Sequence, residues 1–187
     1  AYIYPVTGTP SGTIRNLSST SYPGTINGST FNPAGYFDFD GSNDVIVTGL
    51  PNNAIATGDA NSEYTLEAWI YVRTSSGGTT NADGIMGHNS DRGVGFQVGV
   101  SNNNPRINYG ARFTSNFYGP EFNYNEWRHI ILTRDGTNGP IAYENSTQVG
   151  SLTSADLDIE SGFTPGDFNL GYCGPRITGY FDGRIGE

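Results

Sequence analysis

Over residues 63–73 the chain alternates with period two. Tyr64, Leu66, Ala68, Ile70 and Val72 fall on one side, and Thr65, Glu67, Trp69 and Tyr71 on the other. A helix cannot carry that pattern, because its apolar stripe returns every three to four residues. Both sides hold apolar or aromatic groups, so a central strand covered on both faces is expected. The same grammar recurs. Tyr36-Phe37-Asp38-Phe39-Asp40 alternates and, after Gly41-Ser42-Asn43, Val45-Ile46-Val47 follows as a hairpin-like partner. Further strands are predicted over 85–88, 94–100, 106–113, 127–134, Ile141–Glu144, 148–152, 167–172 and 179–185. The total is roughly ten to twelve short strands separated by Gly, Asn and Asp turns, the pattern of an all-β, antiparallel two-sheet sandwich rather than a βαβ fold.

Composition agrees where it bears on this. The chain has 187 residues, with 27 Gly, 10 Pro and no Lys; all nine cations are Arg. Turn formers abound, and no segment reads as a long amphipathic helix. The length suits one domain over 1–187, with 1–35 as an irregular N-terminal segment in which residues 2–4 form an edge strand. The net charge is -9. Nucleic acid and anionic membranes, which need a basic face, are excluded as partners. Acidic loops suit calcium or neutral sugars. Cys173 is alone, so no intrachain disulfide can form. No apolar run approaches the roughly 20 residues of a membrane-spanning helix, and no signal peptide is evident. A start at Ala1 reads as processing or a fragment.

Several motifs stand in a fixed order: Asn16-Leu17-Ser18 with Gly24-Thr25-Ile26, then Phe39-Asp40-Gly41, Trp127-Arg128-His129-Ile130-Ile131-Leu132-Thr133-Arg134-Asp135-Gly136, Ala142-Tyr143-Glu144-Asn145 with Gln148-Val149-Gly150-Ser151, Asn169-Leu170-Gly171, and Phe181-Asp182-Gly183-Arg184-Ile185-Gly186-Glu187. In this order they resemble the laminin-G-like, concanavalin A-like lectin/glucanase jelly-roll domains. The resemblance implies a two-sheet jelly roll that mostly binds sugars or proteins and mostly does no chemistry. There are two departures. The sequence stops where the resemblance implies a closing strand, so the expectation is that the strand is missing, which would leave an open edge, or is supplied by a neighbouring chain. The hairpin turn reads Asn145-Ser146 where the family prefers Asp-Gly.

Asp156, Asp158 and Glu160 alternate, as the carboxylates of a retaining glycosidase on a jelly roll do. Ser154, Ser161, Gly162 and Pro165 flank them and favour a solvated acidic loop. Asp38, Asp40, Asn43 and Asp44 offer hard oxygen ligands of the kind calcium takes, in a spacing that is not an EF-hand. By the resemblance, Asp40, Asp44, Asp182 and Glu187 converge at the rim as a Ca2+ site; the alternative is that they shape turns. His88 and His129, with one Cys, cannot build a zinc site. His129 reads as a packed or hydrogen-bonded strand residue.

Aromatic and amide side chains crowd residues 101–127. Sugars stack on rings and need amide or carboxylate partners, so this region is the candidate ligand site. Phe113 and Trp127 are assigned to the core; Arg112, Tyr118, Asn123 and Tyr124 are assigned to ligand binding. The expectation is a non-catalytic lectin-like module of an extracellular, cell-surface or virion protein, binding glycans or a surface protein. The alternative is a structural subunit packing into a homo-oligomer or larger assembly, and the third reading is a β-glucanase-like hydrolase.

Overall fold

The computed structural model describes residues 3–5, 13–16, 23–50, 63–75, 82–88, 94–101, 103–112, 115–152, 167–173 and 179–186. Strands pair in two sheets. The larger sheet contains β1 (Ile3–Pro5), β2 (Thr13–Asn16), β3 (Gly24–Asn27), β6 (Val45–Val47), β15 (Phe168–Leu170), β8 (Asp83–His88), β9 (Gly95–Ser101), β10 (Asn104–Arg112) and β11 (Ser115–Tyr118), in that spatial order. The two-residue β16 (Gly179–Tyr180) joins it as a parallel partner of β8. The smaller sheet runs β14 (Thr147–Ser151), β13 (Ile141–Glu144), β12 (Trp127–Asp135), β7 (Glu63–Thr74), β17 (Asp182–Gly186), β5 (Tyr36–Asp40) and β4 (Thr30–Asn32). The fold is the expected antiparallel jelly-roll sandwich.

The alternation decides which side chains face the other sheet. Leu66, Ala68, Ile70 and Val72 of β7, Ile130 and Leu132 of β12, and Phe37 and Phe39 of β5 point inward from the smaller sheet. They join Ile26, Ile46, Ile85, Phe96, Val98, Ile107 and Tyr109 from the larger sheet in one core. Each large side chain buried this way contributes about 1.5–3 kcal/mol. Phe39 and Phe181 meet edge to face at 6.0 Å, as do Phe96 and Tyr109 at 5.6 Å.

The structure alters three expectations. The stretch 1–35 contributes β1 to β4 rather than irregular chain, with β1 at the outer edge of the larger sheet as expected of an edge strand. A further strand, β11, falls between the strands expected over 106–113 and 127–134. Strand β17 lies inside its sheet, between β7 and β5. Finally, β7 is covered on one face only, because the alternate residues Thr65, Glu67 and Trp69 are exposed. Among the described residues no helix is long and apolar enough to cross a membrane.

Candidate functional site

The uncovered face of the smaller sheet is where chemistry gathers. Strands β7 and β12 pair antiparallel, with Thr65 opposite Thr133, Glu67 opposite Ile131, Trp69 opposite His129 and Tyr71 opposite Trp127. Odd-numbered residues of both strands point outward, so opposed pairs touch on the surface, where cross-strand contacts are closest. Thr65 and Thr133 share a hydroxyl hydrogen bond of 2.9 Å. Glu67 Oε1 lies 2.8 Å from His129 Nε2. The Trp69 ring stacks on His129 at 4.9 Å.

The row continues across the sheet. Trp127 meets Tyr71 at 5.6 Å and Tyr36 of β5 at 5.7 Å. Its ring reaches over β17 at Gly186, where an added Cβ would stand 3.7 Å from the Trp127 ring and 3.4 Å from Tyr36. The Arg184 guanidinium sits over the rings of Tyr36 (5.0 Å) and Tyr71 (4.8 Å), a cation–π arrangement that holds both. Trp69 and Trp127 remain 39% and 40% exposed. Trp127, assigned to the core from sequence, is therefore a surface residue: its register opposite Tyr71 puts it on the outward side. Large exposed rings on a single-layer face mark an interaction site.

Beside the aromatic row lies a charged corner. Arg73 Nη1 donates to Asp38 Oδ1 at 2.6 Å, its Nε donates to Asp182 Oδ1 at 2.6 Å, and its Nη2 donates to the Phe39 carbonyl. Arg184 Nε donates to Asp38 Oδ2 at 3.2 Å. Of the residues expected to hold calcium, Asp40 and Asp182 are register partners, and the Asp40 N–H donates to Asp44 Oδ2 at 2.9 Å. Asp40 Oδ1 accepts the Ser42 N–H at 2.8 Å, closing a turn. Asp44 is buried over Gly28, whose φ is +84°. Burial raises its pKa, the Asp40 N–H lowers it, and the carboxylates of Asp40 and Asp38 raise it again. Glu187 lies outside the described residues. Of these carboxylates Asp182, with Asp38, meets the Arg73 guanidinium, while Asp40 and Asp44 accept backbone N–H groups. Among the described residues no group of three or more His, Cys, Asp or Glu could hold a metal ion.

The remaining candidates fall elsewhere. Tyr118, 37% exposed, stands on β11 at the edge of the larger sheet. Asn123 and Tyr124 lie on the crossover from β11 to β12, anchored where the Phe122 N–H donates to Pro105 O (3.0 Å) and the Asn125 N–H to Val72 O (2.8 Å). Asn123 is exposed and its amide donates to Glu126 Oε1 at 3.4 Å. Tyr124 is half-buried against the core rather than presented to solvent, and burial raises its pKa. Arg112 ends β10 opposite Ser115, and its side chain lies outside the described set. Phe113 and the carboxylates Asp156, Asp158 and Glu160 also lie outside the described residues. Sequence reasoning missed Trp69 and Trp127 as surface rings. Alternation grouped Trp69 with Glu67 and Tyr71 on one side of β7, but carries no signal for whether that side meets water.

The two antiparallel sheets define a jelly-roll β-sandwich. The chain belongs to the concanavalin A-like lectin/glucanases superfamily, through its Laminin_G_3 family, whose model matches residues 40–187. Solved structures agree on the fold. Domain 4 of AbnA, a GH43 extracellular arabinanase from Geobacillus stearothermophilus in complex with arabinotriose, superposes with a TM-score of 0.60 at 17% identity, over 91% of this chain and 82% of that one. A Trypanosoma rangeli sialidase in complex with sialic acid gives 0.63 at 16% identity, over 98% of this chain and 29% of the sialidase. The binding domain of Paraclostridial Mosquitocidal Protein 1 gives 0.61 at 18% identity, over 98% and 47%. No curated protein matches this chain.

Proposed function

We propose that this domain is a non-catalytic carbohydrate-binding module that acts outside the cell and receives its ligand on the outer face of the smaller sheet. The observation that carries the reading is the row of rings, exposed Trp69 and Trp127 with half-buried Tyr71 and Tyr36, on one face beside the Glu67 carboxylate and the His129 imidazole. Sugar rings present C–H faces that pack on aromatic planes, while their hydroxyls need carboxylate and imidazole partners. The superfamily contains lectins, and the AbnA domain of similar fold was solved with arabinotriose; both support the reading without fixing the sugar. A single flat site binds weakly, so repeated display would raise avidity. With Asp38 and Asp182 already paired to Arg73, the reading takes binding to be independent of calcium.

The chain has two tryptophans, and both lie on this face, so intrinsic fluorescence reports on it directly. The test is a multivalent glycan array followed by fluorescence titration of the hits. Saturable binding with a tryptophan signal, unchanged by a chelator, is expected. No binding to any glycan at multivalent display sinks the reading and leaves the face as a protein-packing surface.

A further inference from the structure

We infer that the face selects uncharged oligosaccharides longer than a monosaccharide and rejects sugars bearing carboxylate or sulfate groups. This rests on the carbohydrate-binding reading above and adds the ligand class to it.

The first argument is charge. Recognition of an acidic sugar needs a cation whose charge is not already offset. Among the described residues the face has two arginines, and each is already paired with a carboxylate. Arg73 spends its fork on Asp38, Asp182 and the Phe39 carbonyl. Arg184 is paired with Asp38 and lies against Tyr36 and Tyr71. Against these stand, among the described residues, the carboxylates Asp38, Asp40, Asp182, Glu63, Glu67 and Asp135. The sum, two positive and six negative, is a formal charge of -4 with His129 neutral, in a chain of net charge -9. The Glu67 side chain is 59% exposed, and it stands beside Trp69. It offers acceptors to hydroxyls and repels anions.

The second argument is extent. The rings come from β12, β7 and β5, and β17 lies between the last two. Three inter-strand intervals span about 14 Å, with the Arg184 guanidinium lying against the Tyr36 and Tyr71 rings in the middle of the row. That is a platform for several sugar rings, whereas a terminal monosaccharide is held by a concave pocket.

The test is calorimetric and fluorescence titration of the intact domain. The neutral set is arabino-, xylo-, cello-, malto- and manno-oligosaccharides from mono- to tetrasaccharide; the acidic set is sialyllactose, oligogalacturonate and chondroitin sulfate fragments. At least one neutral series should bind, gaining affinity with length. Acidic ligands should bind at least about tenfold more weakly, a difference near 1.4 kcal/mol. Trp69→Ala and Trp127→Ala should each lose about tenfold or more. Trp127→Phe keeps a ring and should lose less, which covers the case in which the alanine variant does not fold. Glu67→Gln should narrow the gap between neutral and acidic ligands. A preference for acidic sugars, or equal affinity for mono- and tetrasaccharides, overturns the assigned class while sugar binding itself stands. Binding that survives in both folded tryptophan variants overturns the face as the site. Failure of every sugar, neutral and acidic, defeats the carbohydrate reading and this inference with it.

Discussion

Removing the Arg73 fork tests whether the charged corner is held by a guanidinium. Arg73 projects from β7 and ties together β5, through Asp38 and the Phe39 carbonyl, and β17, through Asp182. Hydrogen bonds to charged groups contribute about 1.5–3 kcal/mol when protected, whereas exposed ion pairs contribute about 0.2–1. The Arg73 side chain is 28% exposed and its partners 32% and 26%, so each bond falls between those limits and is discounted to about 1 kcal/mol. Arg73→Met keeps the stem and removes three bonds, for an expected loss of about 2–3 kcal/mol. Arg73→Lys keeps the charge but cannot bridge two carboxylates with a fork, so about half of that is lost. The assay is urea denaturation of wild type, Arg73→Met, Asp182→Asn and the double variant. The cycle should return a coupling of about 1 kcal/mol for the Arg73–Asp182 pair. A loss within about 0.5 kcal/mol for Arg73→Met, or no coupling, would refute the argument that the guanidinium organises this corner.

Three further perturbations follow from local geometry. Asn145 and Ser146 have φ of 47° and 67° in the β13–β14 turn, a conformation that favours Asn-Gly, so Ser146→Gly should stabilise the domain by about 0.5–1 kcal/mol in a denaturant melt. Asp135 accepts the Asn138 N–H, its side-chain amide and the Thr137 N–H, which pull its pKa from 3.8 down to about 2. Its contribution is present above pH 3.8 and lost as pH falls toward 2, so Asp135→Asn should flatten the acid limb of a stability–pH profile in that window. Gly171 has a φ of +86°, and a Cβ there would stand 2.5 Å from the Phe39 ring and 2.8 Å from Asp44 O. Gly171→Ala should therefore cost at least about 2 kcal/mol, read as a drop in Tm.

Much of the layered architecture is legible in the chain. The strands β5, β6 and β13 match their expected bounds, and β7 and β12 differ by one residue at one end. Period-two alternation bounded by Gly, Asn and Asp is local physics and needs no partner to be read. The short strands β3, β4 and β11 were missed or read as connections, because three or four residues carry too little period to stand out. Their pairing comes from neighbours distant in sequence, as when β3 docks on β6.

The functional face divides the same way. Sequence determined that Glu67, Trp69 and Tyr71 share one side of their strand, since alternation permits nothing else; the register then adds His129 and Trp127 of β12 to that side. It did not determine whether that side meets water. Both sides of β7 carry rings or aliphatic groups, and a strand buried on two faces reads the same as one buried on a single face. Only the tertiary structure decided it, by packing the larger sheet on the Leu66–Ile70 side and leaving the Trp69 side uncovered. The same holds for the acidic residues. Their composition suits calcium, yet the fold brings Arg73 from mid-chain into their centre, because β7 lies beside β17 and β17 beside β5. Side-chain direction is set by local backbone geometry; what stands opposite is set by contacts between residues far apart in the chain.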